Sequence, residues 1–127
     1  MGVRVKWCDR TLIMGPYFTV CTTEELFRRE LRRIGIKEHL EFIAPDMHAR
    51  CYHLACSGKR CSIVCMPHYP DRDPTQVVAL LVHEAVHIWQ EYKEFIGEHS
   101  PGKETEAYAI QNISQELIRE YSRQINL

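Results

Sequence analysis

The sequence has almost no net charge, no long apolar run and no Cys-x-x-Cys pair, and each absence removes a class of function. Sixteen Lys and Arg stand against 17 Asp and Glu in 127 residues, a formal charge of −1. That balance carries no electrostatic footprint for nucleic acid or an anionic membrane. The one local basic cluster, Arg28, Arg29, Arg32 and Arg33, reads as the solvated face of a helix. No stretch approaches the roughly 20 apolar residues of a membrane span, and Met1-Gly2-Val3-Arg4 does not open an apolar secretion signal. Lys6 stands where a myristoylation signal has a small hydroxyl residue. These features predict a cytoplasmic protein with no nucleic-acid or membrane partner; they say nothing of its oligomeric state.

Six cysteines (Cys8, Cys21, Cys51, Cys56, Cys61, Cys65) are many for such a chain. Without Cys-x-x-Cys spacing they give no support to a zinc ribbon, and the expectation is free thiols in the core. Repeats, linkers and low-complexity segments are also missing. Apolar residues make up 45% and charged residues 26%, which suits one soluble globular domain over residues 1–127.

The elements then read as follows. Val3–Trp7 and Tyr17–Val20 are β-prone, with Gly15-Pro16 as a turn between them. A helix begins at Thr22 or Thr23, with Glu25 placed for a capping box on Thr22, and ends at Gly35; Phe27, Leu31 and Ile34 line one face. Residues 50–65 form a hairpin about Gly58-Lys59. That register sets Cys56 opposite Cys61, Leu54 opposite Ile63 and Tyr52 opposite Cys65 on one buried face. Cys56 and Cys61 are then near enough for a disulfide in an oxidising compartment.

Asp73 caps a long helix with Pro74 at its first position and Gly97 at its close. Val78, Leu81, Val82, Ala85, Trp89, Tyr92 and Ile96 give it an apolar stripe. After Pro101 a last helix carries Ile110, Ile113, Leu117 and Tyr121 on one side. The expected fold class is α+β: an N-terminal helix, a small antiparallel sheet with a hairpin, and two long helices.

The chemistry sits in His83-Glu84-Ala85-Val86-His87. Residues four apart on a helix project from one side, so His83 and His87 can meet one metal ion. Glu84 is about 100° round the helix, poorly placed to join them as a ligand but able to reach a water on the open side as general base. The apolar stripe lies opposite the histidines, which leaves them facing a cleft. The motif predicts one catalytic zinc ion, and catalytic zinc takes three protein donors. Glu106 is the expected third, because it lies on the last helix's apolar stripe, where an acid wants a partner. Glu104 is the alternative.

His-Glu-x-x-His followed by a glutamate helix resembles the gluzincin metallopeptidases, including thermolysin-like enzymes and zinc aminopeptidases. Glu106-Ala107-Tyr108-Ala109 looks like the Glu-Gly-Phe-Ala segment of the aminopeptidases, at a similar distance from the second histidine. The membrane-embedded gluzincins have Glu-x-x-Ala-Asp instead, to which Glu104-Thr105-Glu106-Ala107-Tyr108 compares with Tyr108 in the Asp place. The element order over residues 22 to 125 is similar to the minimal soluble gluzincins of phages and prokaryotes. The resemblance implies a zincin-like fold and hydrolysis of a peptide or protein substrate. Zinc would be held by His83, His87 and Glu106 (or Glu104), with Glu84 as base.

His99 is a rival third donor, of the kind found in SprT-like proteases. His99, Tyr108 and Tyr92 are candidate oxyanion stabilisers. By analogy, strand Cys61–Cys65 would present an outer edge to an extended substrate. A metal-binding regulator or phage–host interaction protein without turnover is the alternative function. A thiol redox protein is disfavoured by the cysteine spacing.

Overall fold

The computed structural model describes residues 3–8, 16–56 and 59–126, with Cys56 described in its backbone alone. Its elements run β1 (Phe18–Cys21), α1 (Glu24–Ile34), β2 (Arg50–Cys56), β3 (Lys59–Cys65), α2 (Pro74–Phe95) and α3 (Lys103–Ile125). The α+β class holds. The sheet, however, is mixed rather than antiparallel: its order is β1-β3-β2, with β1 parallel and β2 antiparallel to β3. Because α1 and β2 intervene between β1 and β3, the chain returns to β1's side in the same direction. β3 is thus the central strand, hydrogen-bonded on both sides. It cannot offer the outer edge expected of it; the edge strands are β1 and β2.

The hairpin register is two residues away from expectation. Leu54 pairs with Cys61, Tyr52 with Ile63, Arg50 with Cys65 and Cys56 with Lys59, so the connection is Ser57-Gly58, outside the described residues. Side chains alternate with period 2, so a two-residue shift leaves each on its expected face. The proposed closeness of Cys56 and Cys61 rests on a side chain outside the described set. Cys21, Cys51 and Cys65 are free thiols.

Both faces of the sheet are covered. On one, Cys21, Ile63 and Cys65 pack with Leu26, Phe27, Leu31 and Phe42. On the other, Phe18, Val20 and Val64 meet Leu81, Ala85 and Ile88 of α2 and Ile113, Leu117 and Tyr121 of α3. Only the first layer follows from the hairpin's alternation; the second needs the amphipathic stripes of the two long helices.

Local chemistry sets the ends. Thr23, not Thr22, caps α1 by accepting from the Leu26 amide at 3.1 Å, and Gly35 ends the helix at φ 86°, left-handed backbone that favours glycine. Asp73 caps α2 through the Thr75 amide at 3.0 Å.

Thr22 is spent elsewhere: its N–H and hydroxyl both donate to Gln124 Oε1, at 3.0 and 2.9 Å. Gln124 Nε2 donates to the Val20 carbonyl at 2.7 Å, so the end of α3 is tied to β1. Residues 3–7 form no strand. Their backbone is held by side chains instead: Lys6 N–H donates to Glu120 at 3.0 Å, and the Lys6 carbonyl accepts from Thr19 Oγ1 at 2.7 Å. Among the described residues no helix is long and apolar enough to cross a membrane.

Glu120 is buried and charged. Burial pushes its pKa up, but hydrogen bonds from Arg123, Gln124 and the Lys6 amide outweigh this and hold it below the usual carboxylate range. A depressed folded pKa contributes stability above the unfolded value, about 4.3, and loses it as pH falls through the folded value. Wild type should therefore lose more stability than Glu120→Gln as the solution is acidified below about pH 5. Parallel denaturation curves across that range would remove Glu120 from this role.

Candidate metal centre

Two faces of α2 divide its labour. Leu81, Ala85, Ile88 and Trp89 are buried against the sheet and α3, while His83 and His87 are exposed on the other side. Their Nε2 atoms stand 3.2 Å apart, with the rings nearly perpendicular at 79°. His87 Nδ1 lies 3.1 Å from Gln90 Oε1. An amide oxygen only accepts, so Nδ1 carries the proton and Nε2 its lone pair. That is the tautomer a metal requires.

Glu84 is buried, 6% exposed. Burial raises its pKa above the ordinary carboxylate value, and nearby His83 and His87 pull in the opposite direction. All three side chains line a cleft of about 400 Å³ whose other wall is β2, through Cys51 and His53. His53 escaped the sequence reading. It lies on the same face of β2 as Cys51, the face turned to α2, and alternation from Tyr52 and Leu54 was the signal that could have found it. Its Nδ1 is 2.8 Å from the buried Ser62 hydroxyl. Burial chiefly lowers its pKa; Glu91 raises it and His87 lowers it. His53 also borders a mixed pocket of about 250 Å³ with Tyr17, Arg60, Ile88, Glu91 and Tyr92.

The structure does not bring Glu106 to the histidines. Its Oε2 accepts from Trp89 Nε1 at 2.7 Å and from Lys93 Nζ at 3.2 Å. The Trp89 hydrogen bond, with that of Lys93, holds its pKa down. Trp89 and Lys93 lie about 200° and 240° round α2 from His87, on the face packed to α3. A carboxylate on the α3 stripe meets the buried side of α2, and the histidines occupy the other. Glu104 is exposed on α3. His99 sits 3.1 Å from Glu94, Tyr108 is 59% exposed, and neither borders the cleft. Tyr92 lines the neighbouring pocket. Among the described residues no three His, Cys, Asp or Glu side chains converge in a metal-holding group.

No family model, curated protein or solved structure matches the chain.

Proposed function

We propose that this chain is a zinc-dependent metallopeptidase in which His83 and His87 hold the ion and Glu84 is the general base. The supporting observation is the 3.2 Å separation of the two Nε2 atoms beside a buried carboxylate. Two nitrogens on one tetrahedral zinc, each at 2.0–2.1 Å, stand roughly 3.3 Å apart. The pair thus has the required spacing, and Gln90 selects the required tautomer of His87.

A zinc ion at this place would acidify water and polarise a carbonyl. The protein's own groups do the rest. Glu84 takes the proton of the attacking water and delivers it to the leaving amine. Its burial keeps the carboxylate basic and out of competing hydrogen bonds. The open edge of β2 gives an extended peptide backbone partners along the cleft, by analogy with other strand-adding sites.

The rival reading is a metal-binding module without turnover, although a structural zinc takes four protein donors and the pair that converges here is His83 and His87. Zinc analysis together with hydrolysis of unfolded casein separates the two readings. Wild type should carry zinc and cleave. His87→Ala should lose both, whereas Glu106→Ala should keep stoichiometric zinc because its carboxylate serves Trp89 and Lys93. Zinc retained by His87→Ala would end the assignment of the site, and bound zinc with no cleavage would favour the module.

A further inference from the structure

Toward the N-terminal end of α2, His83 also walls a second recess, of about 440 Å³, with Gln76, Leu80, His48 and Arg72. The polar side chains lining it are Arg72, His48, Gln76 and His83, with no carboxylate among them. Arg72 Nη2 donates to His48 Nδ1 at 3.0 Å, which leaves the His48 proton on Nε2. The Gln76 amide adds further N–H groups. Arg72 Nη1 is buried with no hydrogen-bond partner. None of the ion pairs among the described residues includes Arg72. The Tyr69 ring, 43% exposed, stacks on the guanidinium at 4.7 Å.

A guanidinium has no acceptor capacity and cannot shed its charge, so a half-covered one without a carboxylate is a cation short of its partner. We infer that this recess binds a carboxylate of the substrate, held in a two-pronged contact by Arg72 with His48 and Gln76 beside it. The planar fork of Arg matches a carboxylate in shape as well as charge. Nη1 is covered in this conformation, so a two-pronged contact requires the Arg72 side chain or a neighbour to shift.

Gln76 and His83 are seven residues apart, about 10 Å along the helix. At roughly 3.3 Å per extended residue, the carboxylate lies within about three residues of the attacked carbonyl. The word substrate rests on the peptidase reading; the binding of a carboxylate does not.

The test compares N-acetyl-Gly-Gly-Phe as free acid and as amide, by calorimetry on the full chain in chelator and by hydrolysis with zinc present. The acid should bind about tenfold or more tightly than the amide, in chelator as well as with zinc. Arg72→Gln should abolish the preference, and Arg72→Lys, which keeps charge but not the fork, should reduce it several-fold. An amidated peptide with an internal Asp, set against its Asn counterpart, tells a side-chain carboxylate from a chain end; either source supports the site. Equal binding of acid and amide, loss of the preference in chelator, or an unchanged preference in Arg72→Lys overturns it. A preference intact without hydrolysis leaves the carboxylate site standing and removes the peptidase reading.

Discussion

Glu84→Gln should keep zinc at wild-type stoichiometry and lose hydrolysis by about 10²–10⁴-fold, the usual worth of a positioned general base. The carboxamide has nearly the same shape, so the buried position is still filled and His83 and His87 keep their places. What disappears is the capacity to take a proton. The measurement is casein cleavage alongside metal content and melting temperature. A variant that cuts at close to the wild-type rate would show that another group accepts the proton. Near-complete loss of zinc would show instead that Glu84 belongs to the donor set.

The largest structural effect is expected at Phe27. Its side chain is fully buried, with ring centroids 5.7 Å from Phe42 and 5.5 Å from Tyr52. Truncation to alanine removes the ring and leaves a cavity that three different elements would have to collapse to fill. A loss of about 3–5 kcal/mol is expected. Against a domain stability of roughly 5–15 kcal/mol, that brings the fold near its limit at 37 °C. Denaturant unfolding at 10 °C measures it. A loss below about 1 kcal/mol would mean that α1 does not pack on the sheet as described. Phe27 sits on the sheet face away from α2, so zinc content per folded molecule should not change.

What could be read from the residues was what depends on neighbours in the chain. Asp73-Pro74 opened α2 and Gly35 and Gly97 ended their helices, because caps and left-handed turns are local chemistry. The convergence of His83 and His87 is of the same kind, since four residues make about one turn. Long-range choices were not legible. Nothing near Phe18 announces that it will run parallel to β3, and nothing in residues 56–59 decides between two turns of equal parity. Gln124 is the clearest case. A glutamine near the end of an amphipathic helix looks solvated, yet it is buried and satisfies a strand carbonyl and the backbone and side chain of Thr22.

The misplacement of Glu106 has a different origin. It came from combining two observations that the packing in this structure separates. The histidines face away from the apolar stripe of α2, and Glu106 shares the apolar stripe of α3. Here α2 and α3 pack so that Glu106 meets Trp89 and Lys93, on the side of α2 away from the histidines.

The link between Gln124 and residues 20–22 also bears on the order in which the molecule is made. About a hundred residues separate these partners, so β1 must wait roughly 5–20 s for its tether at ordinary rates of synthesis. Through that interval Phe18 and Val20 are without the α3 side chains that later cover them. The nascent chain is most exposed to misassociation just before its last helix is finished, and a chaperone that shields apolar strands would act in that window.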